Sequence, residues 1–211
     1  MITEERKKFY KSLIVPSAVV ILMWTVRLIE YISGGEFYHL GIYPRYPESL
    51  SGILTSPLIH GDWNHLISNS LPLFVSLLSI FYFYKDAALT VFLFVYVFTG
   101  VLVWTVGREV WHIGASGIVY GFITFLFFSG IFRRDNRSIA LALVVTFLYG
   151  GMVWGILPGW KGISWESHLF GALTGIVAAF IFRRSDPQKK YEWEDESESD
   201  ESEVPFDGNK L

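Results

Sequence analysis

Cysteine is absent from this chain of 211 residues. Its absence excludes disulfide bonds, thiolate catalysis and cysteine metal sites. It leaves the redox compartment open, because a chain that is mostly buried needs no disulfides. Acidic residues are also missing from two strongly apolar segments, 115–132 and 168–182. A catalytic carboxylate is therefore not evident in either segment.

Long apolar runs make up most of the chain, which is 52% hydrophobic and has a mean hydropathy of +0.39. They predict an all-α membrane protein with six transmembrane helices at 12–33, 63–84, 87–106, 115–132, 138–157 and 168–182. The fourth and sixth are short for a bilayer core about 30 Å thick, so we expect them to lie inside the bundle. The first span lacks a convincing cleavage site and is interpreted as retained. The long first outer loop, 34–62, contains Gly-Gly and several prolines and cannot be one continuous helix.

Charge is distributed unevenly along the chain. Ten of the 20 acidic residues lie in 185–211, so this tail is predicted to be disordered and the membrane part is net basic. With a cytoplasmic N-terminus, twelve Lys and Arg side chains fall in inner segments and three in outer loops. We therefore predict a multi-pass protein of the plasma (inner) membrane with both termini cytoplasmic. Its parts are a cytoplasmic segment 1–11, a six-span domain 12–184 and a cytoplasmic tail 185–211.

Polar residues stand at the starts of three spans. His65 and Asn69 open the second span, Ser116 opens the fourth and His168 opens the sixth. In the predicted topology all three spans enter from the outer side, so these groups share one level. A serine hydroxyl is a weak nucleophile that needs a base, and a neutral histidine can accept its proton. His65 and Asn69 are four residues apart on one helical face and can donate to an oxyanion.

Glycines beside these groups predict close helix packing. The fourth span carries Gly117 and Gly121, and the sixth carries Gly171 and Gly175. Small residues at this spacing let helix backbones approach closely in lipid. The serine and the histidine lie directly beside these faces.

Three motifs together resemble the rhomboid family of intramembrane serine proteases over about residues 10–184. They are His60-x4-His65-x3-Asn69, Gly114-x-Ser116-Gly117-x2-Tyr120-Gly121 and His168-x2-Gly171-x3-Gly175. The resemblance implies a six-helix rhomboid-like bundle with a water-filled cavity open to the outer side. It implies single-span membrane proteins as substrates, with helix-destabilising residues near the scissile bond.

The resemblance also implies roles for individual residues. Ser116 would be the nucleophile and His168 the general base of a dyad. His65, Asn69 and the Ser116 amide would bind the oxyanion, and the Tyr120 ring would pack against His168, with Gly114 and Gly117 as supporting residues. One departure concerns the first loop, where family members often carry Trp-Arg shortly before a threonine and this chain has Ser51-Gly52 before Thr55. The anchoring of this loop is therefore an open question.

Other interpretations of single residues remain open. Ser116 can hydrogen-bond to its own helix, and His65 with Asn69 can join helices. Glu166 is a weak candidate for orienting the base, His60 is interpreted as structural, and His112 as an interfacial loop residue. Arg27 and Glu30 are expected to form a local ion pair.

The alternatives for the whole protein are a catalytically silent rhomboid-like scaffold that binds client proteins, and a transporter or channel. The polar groups cluster at one side and do not cross the membrane, which disfavours transport. A histidine zinc site is conceivable, but no HExxH spacing supports it. We predict no cofactor and no metal, and the lipid bilayer rather than nucleic acid as the surroundings.

Overall fold

The computed structural model describes residues 3–159 and 162–186. Within these ranges the regular secondary structure consists of helices joined by loops. The helices are α1 (Glu4–Ser33), α2 (Gly52–Thr55), α3 (Trp63–Phe83), α4 (Ala88–Val106), α5 (Ser116–Arg133), α6 (Asn136–Tyr149) and α7 (Trp165–Ile181). A 3-10 segment, Gly150–Ile156, continues α6. Five of these helical segments are long and apolar enough to cross a membrane, and α7 is a shorter apolar helix of 17 residues. The predicted all-α bundle is thus confirmed, and all six predicted spans correspond to helices.

Polar side chains define where several helices begin. Thr3, Asp62, Asp135 and Ser164 each accept a hydrogen bond from a backbone N–H in the first turn of the next helix. Such caps satisfy donors that have no partner inside the helix. The caps place the start of α1 at residue 4 and the start of α7 at residue 165, so both helices begin earlier than the predicted spans.

Helix α5 lies at the centre of the bundle and contacts α3, α4, α6 and α7. In the most apolar 18-residue stretch of α5, 56% of the residues are buried, against 11–33% in the other four candidate spans. The closest approach is between α5 and α7, where a Cβ on Gly171 would overlap the Gly117 carbonyl and one on Gly175 would overlap the Gly121 carbonyl. The predicted small faces therefore meet, and only glycine leaves room for this packing.

Several backbone contacts hold the first loop, which contains the short helix α2 and three 3-10 turns. Arg45 donates from its guanidinium to the carbonyls of Thr105 (3.4 Å) and Gly107 (2.8 Å), and from its amide to Trp104 (2.8 Å). Free carbonyls at a helix C-terminus favour a cation, so Arg45 suits the end of α4. Ile42 and His112 form the one isolated bridge among the described residues, with bonds of 2.8 and 2.9 Å. These contacts anchor the first loop, although this chain has Ser51-Gly52 where the resemblance leads one to expect Trp-Arg.

The C-terminal boundary differs from the predicted one. Ser185 and Asp186 were expected to begin the tail, but both backbone carbonyls accept bonds from Arg133, and Asp186 is buried. The rest of the predicted tail, 187–211, lies outside the described residues. At the other end of the chain, residues 4–11 of the predicted N-terminal segment are helical and belong to α1.

The two ends of the bundle carry different residues. We call the end at which α3, α5 and α7 begin the site end, because it holds His65, Ser116 and His168. We call the opposite end, at which α1 begins, the basic end. It carries Arg6, Lys7, Lys8, Lys11, Lys85, Arg133, Arg134, Arg137, Arg183 and Arg184.

Candidate active site

Ser116 and His168 meet at the site end. Ser116 is the first residue of α5 and His168 lies in the first turn of α7. The His168 Nε2 atom is 2.8 Å from the Ser116 Oγ atom. The glycine contacts between α5 and α7 bring these two helix starts together, so the contact expected between the predicted nucleophile and base is present.

A backbone carbonyl and an aromatic ring orient the His168 imidazole. The Nδ1 atom lies 2.9 Å from the carbonyl oxygen of Gly155, which can only accept a hydrogen bond. Nδ1 therefore carries the proton, and Nε2 is left to accept from the Ser116 hydroxyl. The Tyr120 ring stacks on the imidazole at a centroid distance of 4.2 Å and an angle of 9°, and its hydroxyl donates to the Met152 carbonyl at 2.6 Å.

Sequence reasoning missed the Gly155 carbonyl. Any residue type supplies a carbonyl, so the motif spacing contains no direct signal for it. The single indirect signal is the glycine itself, because a Cβ at position 155 would overlap the Tyr120 hydroxyl and lie 3.2 Å from His168 Nδ1.

Glu166 does not orient the imidazole, which corrects the weak prediction for this residue. Its carboxylate accepts two hydrogen bonds from the Arg108 guanidinium, one of them at 3.0 Å. The Glu166 side chain is 4% exposed and that of Arg108 is 54% exposed. This ion pair ties the loop before α5 to the first turn of α7, so it stabilises the relative position of the two helices that carry the dyad.

His112 is also different from the prediction, because it is buried rather than interfacial. Its Nε2 atom lies 3.0 Å from the Arg108 carbonyl and its Nδ1 atom 2.5 Å from the Ser164 hydroxyl. Burial lowers the pKa of His112, so the ring is neutral and can accept from Ser164. Since Ser164 caps α7, His112 forms a second link between the loop and the helix of His168.

The groups that the sequence predicts as oxyanion donors lie at one cavity. The Ser116 amide is at the N-terminus of α5 and has no hydrogen-bond acceptor among residues 3–159 and 162–186. His65 and Asn69 line the same cavity from α3, and the Asn69 amide group donates to the His65 carbonyl at 2.9 Å. Gly114 has φ of +103°, and a Cβ there would lie 2.6 Å from the His65 ring. Only glycine fits this turn.

His60 contacts the backbone of the turn that precedes Ser116. It is 1% exposed, and its Nε2 atom accepts a long hydrogen bond of 3.4 Å from the Ala115 amide. Burial, followed by the charge on neighbouring His65, lowers the pKa of His60 to about 4. Because the ring is neutral, Nε2 can act as an acceptor. The structural interpretation of His60 agrees with this contact.

A cavity of about 870 Å³ lies at the site end. Its lining includes Ser116, His168, His65, Asn69 and Tyr120. Exposed loop residues, among them Asp62 and Arg108, also line it, so the cavity opens at the site end. Arg27 and Glu30 form the expected ion pair at 2.5 Å, and Glu30 also accepts from the Phe37 amide at the start of the first loop. The geometry thus combines a serine hydroxyl, an oriented histidine, the free Ser116 amide and an opening at the site end.

Comparison with known proteins identifies relatives of this chain. A family model described as Rhomboid domain matches residues 47–185. An uncharacterized protein of Mycobacterium tuberculosis is 35% identical over 184 residues, which cover 81% of this chain and 74% of the relative. An uncharacterized protein of Mycobacterium leprae is 33% identical over 178 residues, which cover 80% and 70%. A protein of Acanthamoeba polyphaga mimivirus that carries the name rhomboid protein is 31% identical over 77 residues, which cover 36% and 39%.

Proposed function

The chain belongs to the rhomboid family, and on that premise we propose that it is an intramembrane serine endopeptidase that hydrolyses peptide bonds of transmembrane substrates. One observation carries the proposal: the hydrogen bond of 2.8 Å between His168 Nε2 and Ser116 Oγ. It lies on the wall of a cavity that opens at one end of the bundle. A structural serine in a membrane helix usually donates to its own helix, whereas here the hydroxyl faces a base.

The first half of the reaction forms an acyl-enzyme. As Ser116 Oγ attacks the scissile carbonyl carbon, its proton moves to His168 Nε2, and the carbonyl oxygen becomes an oxyanion. The Gly155 carbonyl holds the Nδ1 proton and so stabilises the imidazolium without a carboxylate. When the tetrahedral species collapses, the C–N bond breaks and His168 gives its proton to the leaving amine.

The second half returns the enzyme to its starting state. Water from the cavity gives a proton to His168 Nε2 as its oxygen attacks the acyl carbon. Collapse then breaks the bond to Ser116 Oγ, which takes the proton back. In both halves the Ser116 amide, Asn69 and His65 would donate to the oxyanion, and such a donor contributes about 3–4 kcal/mol to transition-state stabilisation.

Charge supports an orientation in the membrane. The ten basic residues of the basic end would lie on the cytoplasmic side, and the cavity would open on the other side. Both termini would then be cytoplasmic, and the natural substrates would be single-span membrane proteins that reach the cavity from the bilayer.

Labelling with a serine-reactive fluorophosphonate probe tests the proposal. We expect purified wild-type protein in liposomes to be labelled and to cleave a transmembrane model substrate. Ser116→Ala and His168→Ala should abolish both signals. Ser79→Ala is a matched control, because the Ser79 hydroxyl donates to the Val75 carbonyl of its own helix, at 2.8 Å. Activity that survives Ser116→Ala would refute the assignment, and an unlabelled wild type would indicate a binding scaffold instead.

A further inference from the structure

A second cavity lies at the basic end, and four of its eight lining residues are lysines. It has a volume of about 470 Å³ and lies between the first turns of α1 and the end of α3. We call it the basic groove. Its charged lining residues are Glu4, Glu5, Lys7, Lys8, Lys11 and Lys85, and it is remote from Ser116 and His168, which line the other cavity.

Among the residues that the structure describes, two of the four lysines in the basic groove have no acidic partner. Lys7 pairs with Glu4 at 2.7 Å, and Lys85 pairs with Asp86 at 2.8 Å. Glu5 accepts from the Tyr82 hydroxyl at 3.0 Å. Within the described ranges no carboxylate pairs with Lys8 or Lys11, and Lys8 lies 4.4 Å from the centre of the Tyr82 ring. The lining therefore holds four lysines against two glutamates and carries a formal net charge of +2.

Asp186 determines where the chain leaves the bundle. It is 8% exposed, and its carboxylate accepts bonds from the amides of Asp86 (2.8 Å) and Ala87 (3.1 Å). Its carbonyl accepts bonds from Arg133 and Arg137 at 2.5 and 3.0 Å. The segment after Asp186 thus starts beside Asp86, whose neighbour Lys85 lines the basic groove.

The 25 residues that follow Asp186 are strongly acidic. They contain Glu192, Glu194, Asp195, Glu196, Glu198, Asp200, Glu201, Glu203 and Asp207. The first of these is six residues beyond Asp186, and six residues can span up to about 20 Å. A tether of this length gives an effective concentration on the order of millimolar, so weak charge attraction is enough for binding.

We propose that the acidic segment 192–203 of this chain docks in the basic groove and pairs with Lys8 and Lys11. Complementary charge and the fixed exit point at Asp186 both favour this occupant. An anionic lipid headgroup has the same charge but no tether, so the segment has the advantage of proximity. Docking would cover the basic end of the bundle with the protein's own C-terminal segment.

Cysteine cross-linking in the full chain tests the proposal, since the native sequence has no cysteine to interfere. The reporter protein carries Ser197→Cys and Lys7→Cys in phosphatidylcholine liposomes, with a short bismaleimide as the cross-linker. Its comparison protein also carries Glu192→Gln, Glu194→Gln, Glu196→Gln, Glu198→Gln and Glu201→Gln. We expect the reporter to cross-link roughly five- to tenfold faster than the neutralised form. The difference should disappear at 1 M salt, where the Debye length is about 3 Å.

A pair of single substitutions in α1 locates the docking site. Lys11→Gln in the reporter should slow cross-linking, whereas Arg6→Gln should not, because Arg6 is exposed nearby but does not line the groove. Equal cross-linking by the native and neutralised segments would overturn the proposal. If Lys11→Gln then weakens binding of phosphatidylglycerol, the groove is a lipid site instead.

Discussion

Replacing Gly171 by alanine should separate α7 from α5 and so disconnect the dyad. The added Cβ would overlap the Gly117 carbonyl and approach the Gly117 Cα to 3.3 Å. A backbone carbonyl inside a helix cannot rotate away, so the helices must move apart by more than about 1 Å to restore ordinary contact. The His168–Ser116 distance is 2.8 Å, and the same displacement would take it beyond hydrogen-bonding range.

The magnitude follows from two separate effects of this displacement. Overpacking costs typically about 1–3 kcal/mol of stability. A misplacement of about 1 Å at the reacting atoms costs on the order of 10²-fold in rate. We therefore expect Gly171→Ala to remain folded, with a lower melting temperature, and to be labelled by a fluorophosphonate about a hundred times more slowly than the wild type.

A matched control separates packing from the loss of glycine itself. Among the described residues, no neighbouring side chain or backbone lies within 4 Å of where a Cβ on Gly151 would stand, so Gly151→Ala should keep the labelling rate and the melting temperature. Melting measurements on both variants show whether each is folded. If Gly171→Ala is folded and is labelled as fast as the wild type, the reasoning is refuted, because the α5–α7 contact then does not position His168.

Three further perturbations test other contacts of the site. Asn69→Ala should lower the cleavage rate by about 10²-fold but leave slow probe labelling, because it removes one oxyanion donor and neither dyad residue; an unchanged rate would exclude Asn69 from this role. Arg108→Gln should lower the melting temperature more than Glu166→Gln, because it leaves a buried carboxylate unpaired, at up to about 3 kcal/mol, whereas the reverse change leaves an exposed guanidinium. Equal melting temperatures would contradict this. The pKa of His60 is lowered to about 4 in the folded protein, so its contribution to stability is complete above its ordinary value of 6.5 and is lost as the pH falls toward 4. The loss is about 3 kcal/mol, and in thermal unfolding His60→Gln should lose less stability than the wild type between pH 7 and 4.

The transmembrane helices could be located from the sequence because lipid allows few alternatives. An apolar segment must satisfy its own backbone hydrogen bonds there, so it forms a helix of a length set by the bilayer. Polar caps set the exact starts: Asp62 leaves the predicted start of α3 unchanged, Ser164 moves that of α7 by three residues, and Thr3 moves that of α1 by eight. The common level of His65, Ser116 and His168 follows in the same way, because each stands at the start of a span that enters from one side.

The contacts of side chains with distant backbone could not be predicted. Arg45 anchors the first loop through carbonyls about 60 residues away, and no local pattern marks it for this role. His112 and Glu166 were placed wrongly for a related reason. A histidine or a glutamate near a motif can face solvent, a neighbour or the base, and its partner decides which.

The sequence alone thus determined the order of the apolar helices, the level of the polar groups and the glycine faces, because each depends on the order of apolar, polar and small residues along one helix. Only the tertiary structure decided how His168 is oriented. Its proton is held by the Gly155 carbonyl and its ring by Tyr120. A carbonyl belongs to every residue, so its position in space, and with it the tautomer of the base, exists only once the helices have packed.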